Sequence, residues 1–97
     1  MAQLGIDHLP LNGEGDLRRT YAVIRFTRDV KFPRFSMSAG ERWSFVVYGK
    51  TKAMLEAIRA GDRFEFAGGL GLPGDAEIIY EGSSGLEYAV AAGHIKA

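Results

Sequence analysis

The chain has 97 residues, twelve basic and twelve acidic side chains, no cysteine and thirteen glycines. That length bounds one domain with one modest core. The missing cysteines exclude disulfides and thiolate metal sites and fit a cytoplasmic protein. The start Met1-Ala2-Gln3-Leu4 has no basic region followed by an apolar run, so no secretory signal is expected. No apolar stretch approaches the ~18 residues that span a membrane.

The zero net charge is unevenly spread. Residues 1–16 carry Asp7, Glu14 and Asp16. Residues 17–66 carry eleven basic against five acidic side chains, and residues 67–97 carry Lys96 against Asp75, Glu77, Glu81 and Glu87. A basic middle between acidic ends suits a polynucleotide face on a near-neutral domain, and equally an ordinary surface with local imbalance.

In chain order, residues 1–16 hold Leu9-Pro10-Leu11 and then the turn-rich Asn12-Gly13-Glu14-Gly15-Asp16, which reads as a first strand or a mobile arm. Leu17 to Thr27 reads as a strand, with Ala22, Ile24 and Phe26 on the core face. Tyr21, Val23, Arg25 and Thr27 fall on the other, expected to face solvent in part. Residues 28–41 read as a loop or hairpin tip, because Pro33 excludes a central strand. Arg28, Lys31, Phe32, Arg34 and Phe35 interleave cations with rings there, apt for phosphates and unpaired bases. The same rings also serve as core pieces tucked under a loop. Glu41 to Lys50 is the densest aromatic and β-branched run and reads as a central strand. Lys50 to Ala60 follows with helical spacing at Ala53, Met54, Ala57 and Ile58, and Gly61 is placed to end the helix. Arg63 to Ala67 restarts a strand with Phe64 and Phe66 inward. Gly68 to Gly74 is a loop or a kinked strand. Ala76 to Tyr80 and Leu86 to Ile95 complete the chain as two strands joined by Glu81-Gly82-Ser83-Ser84-Gly85. The expected fold is all-β with one short helix: a five-stranded OB-fold barrel over residues 1–97, the helix between strands 3 and 4.

Residues 41–69 resemble the bacterial single-stranded DNA-binding protein family. The resemblance rests on Glu41-Arg42-Trp43, on Val46-Val47-Tyr48-Gly49-Lys50, on the helix with Met54, Leu55 and Ile58, and on Ala60 through Gly68. It implies an OB-fold, single-stranded DNA or RNA as partner, a role in replication, repair or mobile-element maintenance, and a homodimer or homotetramer. Family members end in an acidic tail; this chain ends Gly93-His94-Ile95-Lys96-Ala97, which suits a plasmid-, phage- or primosome-type relative. Trp43 and Tyr48 are five positions apart, so without a bulge they point to opposite faces.

The candidate nucleic-acid residues are Tyr21, Arg25, Arg28, Lys31, Phe32, Arg34, Arg42, Trp43, Tyr48 and Lys50: cations for phosphates, rings for bases. No cofactor, metal or catalytic residue is expected. His8 and His94 are far apart in sequence, Gly49-Lys50-Thr51 lacks the upstream glycine of a phosphate loop, and no carboxylate pair sits in an apolar pocket. The rival readings are a non-catalytic protein-interaction module pairing through strand edges and a small-ligand barrel using the Gly68–Gly74 loop.

Overall fold

The computed structural model describes residues 13–14 and 16–96. They are mostly β, with two helices, in the order β1 (Tyr21–Phe26), β2 (Val30–Lys31), β3 (Ser36–Met37), β4 (Arg42–Val46), α1 (Gly49–Ala60), β5 (Phe64–Phe66), β6 (Gly69–Gly71), β7 (Ala76–Gly82) and α2 (Gly85–Ala92). β1 is the centre of an antiparallel three-stranded sheet ordered β4-β1-β7; β2 pairs with β3 and β5 with β6 as separate ribbons.

The central strand explains the layering. Ala22, Ile24 and Phe26 point into a large core with Phe45, Met54, Leu55, Phe64, Phe66, Phe32 and Met37. Here α1 and the two ribbons close over one face of the sheet. Four rings mesh in that core: Phe26, Phe32 and Phe66 lie 4.9–5.9 Å apart, and Phe66 meets the Trp43 ring edge-to-face at 5.3 Å. The opposite face of β1, Tyr21 and Val23, forms a second core with Val46 and Tyr88. β1 is therefore apolar on both sides, as a strand sandwiched between layers must be.

The second core corrects two expectations. Tyr21 and Val23 do not face solvent; they are 1% and 0% exposed because α2 lies across them. The segment expected as a last strand over Leu86 to Ile95 is that helix. Ser84 caps it, its hydroxyl accepting from Glu87 N–H at 3.2 Å, and Gly93 ends it in the left-handed conformation at φ 82°. With a helix in place of the last strand, the described strands do not close into a barrel. The expected first strand or arm over residues 1–16 lies almost wholly outside the described residues, as does His8.

α1 begins at Gly49, one residue before the expected Lys50, and ends at Ala60 as expected. Tyr48 N–H donates to Thr51 Oγ1 (2.8 Å) at its start, and Gly61 (φ 74°) closes its end with bonds to Ala57 and Ile58. Gly68–Gly74 is more ordered than a loop, because Gly69–Gly71 pairs with β5. Gly71 is required there by contact: a Cβ at that position would lie 2.2 Å from the Phe64 ring. β7 runs on through Glu81 and Gly82, past the expected end at Tyr80, and a bulge shifts its register between Val23 and Ile24.

Candidate functional site

β4 is an outer strand, and its ladder shows what its free side offers. Phe26 N–H donates to Glu41 O at 2.9 Å, and Val47 N–H to Thr20 O at 2.8 Å. In an antiparallel ladder the hydrogen-bonded pairs alternate, so Trp43 and Phe45 turn their peptide groups toward β1 while Arg42 and Ser44 turn theirs outward. The N–H and C=O groups of Arg42 and Ser44 have no main-chain partner among the described residues. Beyond them lies an open groove of about 350 Å³. Its far wall is Phe35, Ser36 and Met37, from the β2–β3 ribbon; its near wall is Glu41 through Ser44.

The groove has an aromatic base. Phe35 stacks on Trp43 with ring centroids 5.5 Å apart and planes 19° from parallel. Trp43 is half-buried: one edge meets Phe66, and the rest lines the groove. Arg42 projects to the opposite face of the sheet, where its Nη1 donates to Ala91 O at 2.7 Å, tying β4 to the end of α2. The Glu41 carboxylate accepts from Ser38 N–H (2.7 Å) and holds the turn before β4. Lys31 stands opposite Ser36 in the ribbon and is exposed, outside the residues that line the groove.

The remaining expected site residues are dispersed. Tyr21 and Phe32 are interior. Arg25 pairs with Glu77 across the sheet, and Arg28 pairs with the buried Asp75 carboxylate. Arg34 lies by Gly68, while Tyr48 and Lys50 sit exposed at the start of α1, past the end of β4. Lys31, Arg34 and Lys50 have no ion-pair partner among the described residues. The structure thus brings Trp43 and the main chain of Arg42 to one groove, turns the Arg42 guanidinium to the other face, and leaves the other eight elsewhere. Phe35 was legible as a ring in a basic loop. Ser44 and the free peptide groups carried no sequence signal, because an open edge is a property of strand order.

Among the described residues, the one buried side-chain polar atom without a hydrogen bond is on the α2 side. Tyr88 Oη has no hydrogen-bond partner among the described residues. Burial pushes its phenol up from the ordinary value; the Ser44 hydroxyl is near enough to oppose that rise without reaching bonding geometry. Among the described residues no group of three or more His, Asp or Glu side chains could hold a metal ion, and no helix is long and apolar enough to cross a membrane.

No family model, curated protein or solved structure matches this chain.

Proposed function

We propose that this chain is a non-catalytic binding module whose working surface is the β4 edge and its groove. The observation that carries the reading is the pair of outward-facing peptide units at Arg42 and Ser44 beside the Phe35–Trp43 stack. An extended polypeptide laid along β4 supplies the missing donors and acceptors by strand addition, and every second side chain on it reaches the groove. Four hydrogen bonds at ~0.5–1.5 kcal/mol each give a gross gain of about 2–6 kcal/mol. Association costs of ~4 kcal/mol or more consume much of that, so the ring contacts decide affinity and the site is a weak one.

A single-strand polynucleotide reading draws on the same place: the Phe35–Trp43 stack offers a ring platform in the groove, with the exposed Lys31 on the neighbouring ribbon. The strand–helix–strand order of residues 42–66, as in an OB-fold, and the resemblance over 41–69 also support it. Its support is narrower than the sequence implied, because Tyr21 and Phe32 are buried and carboxylates neutralise Arg25 and Arg28. The lack of cysteine fits work in the reducing cytoplasm under either reading.

The test is a pair of titrations followed by Trp43 fluorescence and by amide shifts. The edge reading expects the acetylated peptide Lys-Thr-Val-Thr-Val-Thr-Lys to shift the Arg42 and Ser44 amides, with little response to oligo-dT. Saturable quenching by oligo-dT that weakens with salt, with no effect of the peptide, refutes it in favour of the polynucleotide.

A further inference from the structure

We infer that the occupant of the β4 edge is a second copy of this chain, paired antiparallel about a two-fold axis at Trp43. The inference rests on the β4 edge being the working surface. Only residues whose peptide groups both point across the gap form the hydrogen-bonded pairs of an antiparallel ladder. The peptide units free at both N–H and C=O belong to Arg42 and Ser44, while Val46 keeps only its N–H free because the Thr51 hydroxyl reaches its carbonyl. Setting Arg42 of one chain opposite Ser44 of the other, and the reverse, uses both complete units and leaves only the Val46 N–H over.

The neighbouring registers are worse for stated reasons. Sliding by two residues one way sets Arg42 against Arg42, like charges directly opposed. Sliding the other way sets Ser44 against itself and needs Val46, whose carbonyl oxygen already lies 3.1 Å from the Thr51 hydroxyl. In the favoured register Trp43 faces its own copy in the narrow, non-hydrogen-bonded pair, which carries the Phe35–Trp43 stack across the axis. The Arg42 guanidinium is drawn away from the axis by its bond to Ala91 O at 2.7 Å.

Two further features agree. The chain has no net charge, so two copies meet without long-range repulsion. The opposite edge, β7, carries a bulge that discourages pairing, whereas β4 has none. Joining the β4 edges turns two three-stranded sheets into one continuous sheet of a common size.

Sedimentation from about 1 μM to about 1 mM, with amide exchange at both ends of the range, tests this. The expected result is a monomer–dimer equilibrium in which Arg42 and Ser44 amides exchange about tenfold more slowly in the dimer. Ser44→Pro removes one outward N–H and no bond to β1, so it is expected to remain monomeric with a native spectrum. Should that variant fail to fold, the unaltered chain serves instead: in a mixture of isotope-labelled and unlabelled copies the narrow pair predicts Hα–Hα contacts between Trp43 of one copy and Trp43 of the other. A chain that stays monomeric throughout, a dimer whose Arg42 and Ser44 amides exchange unchanged, or a dimer without the Trp43–Trp43 contact between copies overturns the inference. A monomer whose Arg42 and Ser44 amides still shift with the Lys-Thr-Val-Thr-Val-Thr-Lys peptide overturns the second copy alone. A chain whose amides respond to neither overturns the edge reading as well.

Discussion

Tyr88→Phe is expected to stabilise the protein. The side chain is 0% exposed, its ring packs 5.3 Å from Tyr21 and 5.9 Å from His94, and its hydroxyl has no bond among the described residues. A buried hydroxyl without a partner costs ~1–3 kcal/mol, and phenylalanine removes it while keeping the ring contacts. Some of that gain is offset by losing whatever the nearby Ser44 hydroxyl contributes, which leaves about 1 kcal/mol. For a domain of this size that raises Tm by ~4–8 °C, well within reach of thermal unfolding followed by circular dichroism. The same residue sets an alkaline limit. Burial raises the native phenol above its ordinary value, so the unfolded chain loses its proton first as pH rises past ~10. Unfolding then releases a proton, and stability falls with pH in that range; the variant loses that part of the slope. A loss of ~1 kcal/mol or more in Tyr88→Phe would mean the hydroxyl is bonded after all, and the account of the second core would be wrong.

Three other expectations follow from single contacts. Gly71→Ala drives a methyl into the buried Phe64 ring, at 2.2 Å from Cζ and 2.5 Å from Cε2, and should cost ~1–3 kcal/mol in urea unfolding with unchanged secondary structure. Ser84→Ala removes the cap that holds Glu87 N–H at 3.2 Å; about 1 kcal/mol is expected, with fraying seen as faster amide exchange in the first turn of α2. The side-chain hydrogen bond from Arg18, aided by its backbone N–H, lowers the Asp16 carboxyl to about 2. Its contribution to stability is present above the unfolded carboxylate range of ~3.9 and is lost as pH falls toward the folded value. Carboxyl titration by NMR should return Asp16 to the ordinary range in Arg18→Ala.

The elements that were legible are those whose pattern is local. Ala22, Ile24 and Phe26, the Met54–Ile58 stripe and the Phe64/Phe66 pair announce their inward faces through period alone. Ala53 is an exception, lying exposed on that helix. The last segment misled because Leu86, Tyr88 and Val90 alternate as a strand would. The competing signs were the Ser84–Glu87 capping spacing, the run Ala89, Ala91 and Ala92, and Gly93 beyond them. Once that segment is a helix, Tyr21 and Val23 acquire a roof, and Tyr21 is lost from the expected binding face. The pairing of Arg25 with Glu77 and of Arg28 with Asp75 was illegible for another reason. The partners are 52 and 47 residues apart, and only the fold brings them together.

The place of β1 in the sheet has a bearing on how the chain reaches its native form. Ile24 pairs with Trp43 on one side and with Ile78 on the other, so the strand made first waits for a partner that emerges much later. Loop closure of that length precedes any reward from pairing, which slows folding relative to a helical chain of equal size. A nascent chain released before β7 has been synthesised would present β1 with a bare flank. Such a fragment is a poor candidate for autonomous folding and a good one for capture by chaperones.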